Sequence, residues 1–73
     1  MTDWRKAYTG LSDAGYTDDQ IAQVAGITRA VVNGVRNGTW PHPHEPKHAG
    51  GQRVIALINE AIRHGVLEKD PLA

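Results

Sequence analysis

Three imidazoles and a carboxylate crowd one short stretch of this chain, where His42, His44 and His48 stand beside Glu45 in PHPHEPKHAGG. Imidazoles with a carboxylate are the usual zinc set where no thiolate is present. Pro41, Pro43 and Pro46 favour an extended chain, which would turn His42 and His44 to the same side. The spacing matches no recognised zinc motif, however, so a solvated loop is expected, with imidazoles that titrate near neutral pH. Nucleophilic chemistry has even less to work with. Ser12 is the only serine, cysteine is absent, and no glycine-rich phosphate loop or carboxylate pair stands out. No enzyme activity, metal or cofactor is expected.

Two other groups of residues are suited to binding. Arg29 and Arg36 lie seven residues apart, about two helical turns, so they can face the same way and hold two phosphates. Near the N-terminus Trp4, Arg5, Lys6 and Tyr8 combine aromatic and cationic side chains, the types that anchor protein interfaces. Trp4 and Tyr8 also fit the core stripe of a first helix.

Helical end signals position these groups. Thr17 and Gln20 make a capping box, Tyr16 can staple onto Ile21, and Asp18 and Asp19 suit the first-turn dipole. Gly26 supplies the positive φ of a tight turn, Thr28 caps a further helix, and Asn37-Gly38 ends it. Ile21, Ala22, Ile27, Val32 and Val35 give buried spacing with a small residue at the helix crossing, which is the pattern of a helix-turn-helix over 17–38. On its second helix Thr28, Arg29, Asn33 and Asn37 are the exposed positions, and Ala30 and Gly34 fall on the same face. A glycine there normally marks close backbone approach.

Two more helices complete the domain. From Asp3 to about Ala14, Trp4, Ala7, Tyr8 and Leu11 share one face. From about Gln52 to His64, Val54, Ile55, Ile58, Ala61 and Ile62 form the stripe, Gly65 ends the helix, and a proline-rich loop from Trp40 to Gly51 precedes it. The expected fold is all-α, one small four-helix domain over 1–67 containing a helix-turn-helix, with a flexible tail over 68–73.

The chain has 73 residues, a length that leaves a small core and no cysteine to staple it. Its longest apolar run, Val54 to Ile58, is too short to span a membrane, and MTDWRKAYTG lacks a signal-peptide apolar region, so a cytoplasmic location in a host cell is expected. Eight Lys and Arg balance eight Asp and Glu. The balance holds segment by segment, which removes the basic surplus that gives DNA-binding proteins their non-specific affinity.

The segment carrying Ile21, Ala22, Gly26, Ile27, Val32 and Val35 resembles the helix-turn-helix of phage and bacterial regulators of the Cro and repressor type. That resemblance implies a second helix lying in the DNA major groove, read out by Thr28, Arg29, Asn33, Arg36 and Asn37. With its neutral charge the chain also resembles small phage transcription factors that bind the largest subunit of host bacterial RNA polymerase. Those factors inhibit promoter-dependent initiation and promote antitermination. This second resemblance implies a monomer with weak or absent DNA binding, no membrane association, and a polymerase contact through Trp4, Arg5, Lys6 and Tyr8.

Overall fold

The computed structural model describes residues 2–73 and contains helices α1 (Trp4–Asp13), α2 (Asp18–Ala25), α3 (Arg29–Asn37) and α4 (His48–Arg63), with no strand among the described residues. Each of the first three helices starts at a side-chain cap. The Asp3 carboxylate accepts from the Lys6 amide at 3.1 Å, and the Thr28 hydroxyl accepts from the Val31 amide at 3.3 Å. At α2 both halves of the capping box are present, Gln20 amide to Thr17 Oγ1 at 3.1 Å and Thr17 amide to Gln20 Oε1 at 2.9 Å. Gly26 and Gly38 end α2 and α3 in the left-handed region, at φ +73° and +75°, where a side chain would add strain.

The core is assembled from the expected stripes. Trp4, Ala7, Tyr8 and Leu11 of α1 meet Ile21, Ala22 and Ala25 of α2, Val32 and Val35 of α3, and Val54, Ile58 and Ala61 of α4. Ile27, Ile55 and Ile62 are half-buried at its edge. α1 packs on all three other helices and α2 packs on α3 and α4, whereas α3 packs only on α1 and α2. One side of α3 therefore faces solvent. Among the described residues no helix is long and apolar enough to cross a membrane.

The start of α4 differs from the sequence reading. The helix begins at His48 rather than near Gln52, which shortens the proline-rich connection to residues 38–47. Glycines are poor helix formers, and the apolar stripe starts only at Val54, so local signals place the boundary too late. Packing overrides them. Gly50 sits directly against the backbone carbonyl of Ala25, and Gly51 lies under the Trp4 indole, whose Cη2 is 2.9 Å from where a Cβ would stand. The first turn of α4 is thus helical because two bare backbone positions let it lie on α2 and on Trp4.

Residues 68–73, expected as a flexible tail, turn back onto the domain. Pro71 lies on Gly10 of α1, Leu72 packs against the core, and the Leu72 amide donates to Asp70 Oδ1 at 2.9 Å.

A methyl group at position 50 has no room unless α4 moves away from α2. Gly50→Ala is therefore expected to destabilise the fold by about 1–3 kcal/mol, the usual range for overpacking, despite its better helix propensity. Urea denaturation followed by circular dichroism checks this, and an unchanged or raised midpoint would contradict the close approach.

Candidate functional site

The solvent-facing side of α3 carries Thr28, Arg29, Ala30, Asn33 and Asn37, all exposed. What organises this strip is an acid on the neighbouring helix. The Asp18 carboxylate, in the first turn of α2, accepts from Arg36 Nε and Nη2, each at 3.1 Å, and from Asn33 Nδ2 at 3.2 Å. Asn37 Nδ2 in turn donates to Asn33 Oδ1 at 3.2 Å. Asp18, Asn33 and Asn37 thus form a chain in which each amide has a defined orientation. Arg29 lies 3.8 Å from Asp19, with both side chains about 70% exposed, an arrangement that contributes little to stability but cancels charge locally.

The bidentate pair also sets the ionisation of its members. Hydrogen bonding to Arg36 holds the Asp18 carboxyl below its ordinary range against the opposing effect of burial, with Asn33 and the Arg36 and Arg29 charges adding to it. Asp18 in turn raises the Arg36 guanidinium.

Arg29 and Arg36, expected as a phosphate-gripping pair, are not presented together. Arg36 turns back to α2, where its side chain is 27% exposed and Asp18 17%. Gly34 is also displaced from its expected place on the exposed face. It is buried beneath Trp40, whose Cε3 is 3.0 Å from where a Cβ would stand, so the glycine admits an aromatic ring from the following loop. Two arginines outside α3 are engaged as well. Arg53 Nε donates to the Val24 carbonyl at 2.8 Å, and Arg5 Nε donates to the Arg36 carbonyl at 3.4 Å with its guanidinium over Gly38. These cations meet the carbonyl ends of α2 and α3, where the helix dipole favours them.

The N-terminal group Trp4, Arg5, Lys6 and Tyr8 does not form one exposed patch. Tyr8 is fully buried and Trp4 nearly so, whereas Arg5 and Lys6 face outward. Helical spacing admitted both readings of these rings, and packing selects the core. Trp4 Nε1 is buried without a hydrogen-bond partner among the described residues.

The histidines part company too. His42 is exposed, His48 opens α4, and His44 Nε2 shares a 2.7 Å hydrogen bond with the Tyr8 hydroxyl. Burial lowers the His44 pKa, opposed by the Glu45 charge, and burial raises that of Tyr8. Among the described residues no three His, Asp or Glu side chains are placed to hold a metal ion. His42 and His44 do line one cleft of about 310 Å³ between α1, α3 and the loop, together with Trp4, Arg5 and Trp40.

Sequence reasoning missed Asp18, Arg53 and Trp40. Locally Asp18 signals only a first-turn acid, and Gly34 is the one local signal that something lies close to α3. Comparison of the chain with protein-family models, with curated proteins and with solved structures gives no match.

Asp18→Asn removes the charged acceptor for Arg36 and is expected to cost about 1–2 kcal/mol at neutral pH, a partly exposed charge-assisted pair being worth no more. A carboxyl depressed in the folded state stabilises above its unfolded pKa, about 3.9, and that contribution is lost as pH falls through this value to the lower folded one. Thermal melts of the two proteins should therefore differ at pH 7 and converge once the pH has fallen below the depressed folded-state pKa of Asp18. A constant gap at all pH values would contradict the assignment.

Proposed function

We propose that this chain is a helix-turn-helix transcription regulator that acts by binding a protein, bacterial RNA polymerase, rather than by gripping duplex DNA. The helix-turn-helix reading is supported by the capped pair α2 and α3 with left-handed Gly26 between them, buried Ala22 at the crossing, and one open side on α3. The observation that carries the choice of partner class is the neutralised α3 surface. Arg36 is engaged by Asp18, and Arg29 stands beside Asp19. A DNA phosphate approaching the start of α2 would meet two carboxylates, and repulsion there opposes the counterion-release term on which DNA affinity depends. A near-neutral strip of ordered amides, a threonine and one arginine suits the mixed polar surface of a protein partner.

Polymerase as that partner rests on the resemblance to small phage factors. In this reading the protein covers a modest patch of the enzyme, inhibiting initiation at promoters and letting elongation continue past terminators. Of the N-terminal residues, Lys6 can reach the partner directly and Arg5, though exposed, is engaged with the end of α3, while Trp4 and Tyr8 hold α1 in place.

A second reading, a Cro-like sequence-specific repressor, is favoured by one feature. Thr28, Arg29, Asn33 and Asn37 are all exposed on the helix that such proteins lay in the major groove.

Backbone amide shifts of labelled protein distinguish the two. Polymerase core is expected to shift or broaden amides along α3 and around Arg5 and Lys6, and Lys6→Glu to weaken that binding without unfolding the domain. Duplex DNA at low salt should leave the spectrum unchanged. Salt-sensitive DNA shifts centred on 28–37, weakened by about 1–3 kcal/mol in Arg29→Ala, would establish the repressor instead.

A further inference from the structure

The connection between α3 and α4 is held at three places. The Thr39 and Trp40 amides both donate to the Gly34 carbonyl, Pro46 is buried near Trp4 and Gly51, and His44 bonds the Tyr8 hydroxyl. Among the described residues, the bond to Tyr8 is the one side-chain hydrogen bond made by residues 40–46. It joins parts of the chain 36 residues apart, and the two rings lie 5.4 Å from centroid to centroid. The middle of the loop therefore depends on a titratable group.

We propose that His44 is a proton-controlled latch: as a neutral imidazole it holds the 39–47 loop on α1, and on protonation it releases the loop and opens the cleft between α1 and α3. A neutral ring can accept the Tyr8 hydroxyl proton at Nε2, whereas an imidazolium has no lone pair there. Tyr8 could then only accept, and the new charge would stand half-buried against the Tyr8 ring. Its ionisable surroundings are few. From α1 the Tyr8 hydroxyl faces it, and Arg5 lines the same cleft with Asp3, which caps that helix. From the loop come His42 in the cleft and the adjoining Glu45, whose charge partly favours the imidazolium. From α3 the cleft is lined by Gly34, Val35 and Gly38, which carry no charge. Burial opposes protonation, Glu45 favours it, and burial outweighs the charge, so the ring is held toward its neutral form. Release reaches α3 directly, because the same loop seats Trp40 on Gly34. The latch acts whichever macromolecule α3 meets.

The sign follows from linkage. A histidine whose pKa is lower in the folded state than in the unfolded one leaves the fold fully stable above about pH 6.5, and the loop loosens as pH falls below that value. The test is an NMR titration of the full chain from pH 8 to 5, following the His44 ring, the Trp40 indole N–H and the amides of residues 39–47. His44 should titrate below about 6.5, with the Trp40 indole and loop amides moving at the same midpoint and the loop amides losing protection on the acid side once exchange rates are corrected for their intrinsic dependence on pH. In His44→Gln, which can accept the Tyr8 proton but does not titrate, that joint transition should vanish. A loop transition that persists in His44→Gln, or a His44 titration that leaves Trp40 and the loop unmoved, overturns the latch. Tyr8→Phe gives a second reading if the glutamine variant does not fold: it should leave the loop exchanging rapidly at pH 8, and a loop as protected as in the parent would equally overturn it.

Discussion

The close passage of α4 over the end of α2 is the constraint on which the rest of this structure depends. Gly50 rests on the Ala25 carbonyl with nothing between the two backbones, and Gly51 leaves room for the Trp4 ring. In so small a domain the core has few side chains to contribute, so close backbone approach takes over part of the stabilisation. That contact fixes where α4 starts, which sets the length of the connection from α3 and brings His44 over Tyr8. It also puts Arg53 within reach of the Val24 carbonyl, so one cation closes the end of α2 that α4 crosses.

The arginines of this chain act mainly inward. Arg5 and Arg53 reach the carbonyl ends of α3 and α2, and Arg36 joins α3 to the start of α2 through Asp18. Each interaction reinforces a pair of helices that already pack closely, and two of the three hold α3, which packs only on α1 and α2. The consequence is electrostatic. A chain with equal numbers of acidic and basic residues has no excess cations, and those engaged with carbonyls or carboxylates project little field from the surface. The exposed strip of α3 is therefore an ordered polar surface more than a charged one.

The aromatic residues divide in the same inward manner. Tyr8 is buried at the centre of α1 and Trp4 at its start, with ring centroids 6.2 Å apart, and Trp40 covers Gly34 from outside while remaining 38% exposed. Placing a tyrosine hydroxyl in the core requires a partner for it, and a histidine from the loop meets that need.

Local sequence signals suffice for the first three helices and their ends, though not for the start of α4. Capping by Thr17 and Thr28, the left-handed glycines at 26 and 38, and the buried spacing of α1 to α3 are all interactions within four or five residues, so they are written in consecutive letters. The candidate site was half legible in the same way. Exposure of Thr28, Arg29, Asn33 and Asn37 follows from helical periodicity, since the complementary positions are apolar. The state of those residues does not. Asp18 and Arg36 stand 18 positions apart, Tyr8 and His44 stand 36, and Gly34 hides beneath a ring from the loop that follows. Whether Arg36 is free, whether Trp4 faces a partner or the core, and where α4 begins were decided only when the helices packed. Each depends on which surfaces meet across the fold, and no local pattern of residue types encodes that meeting.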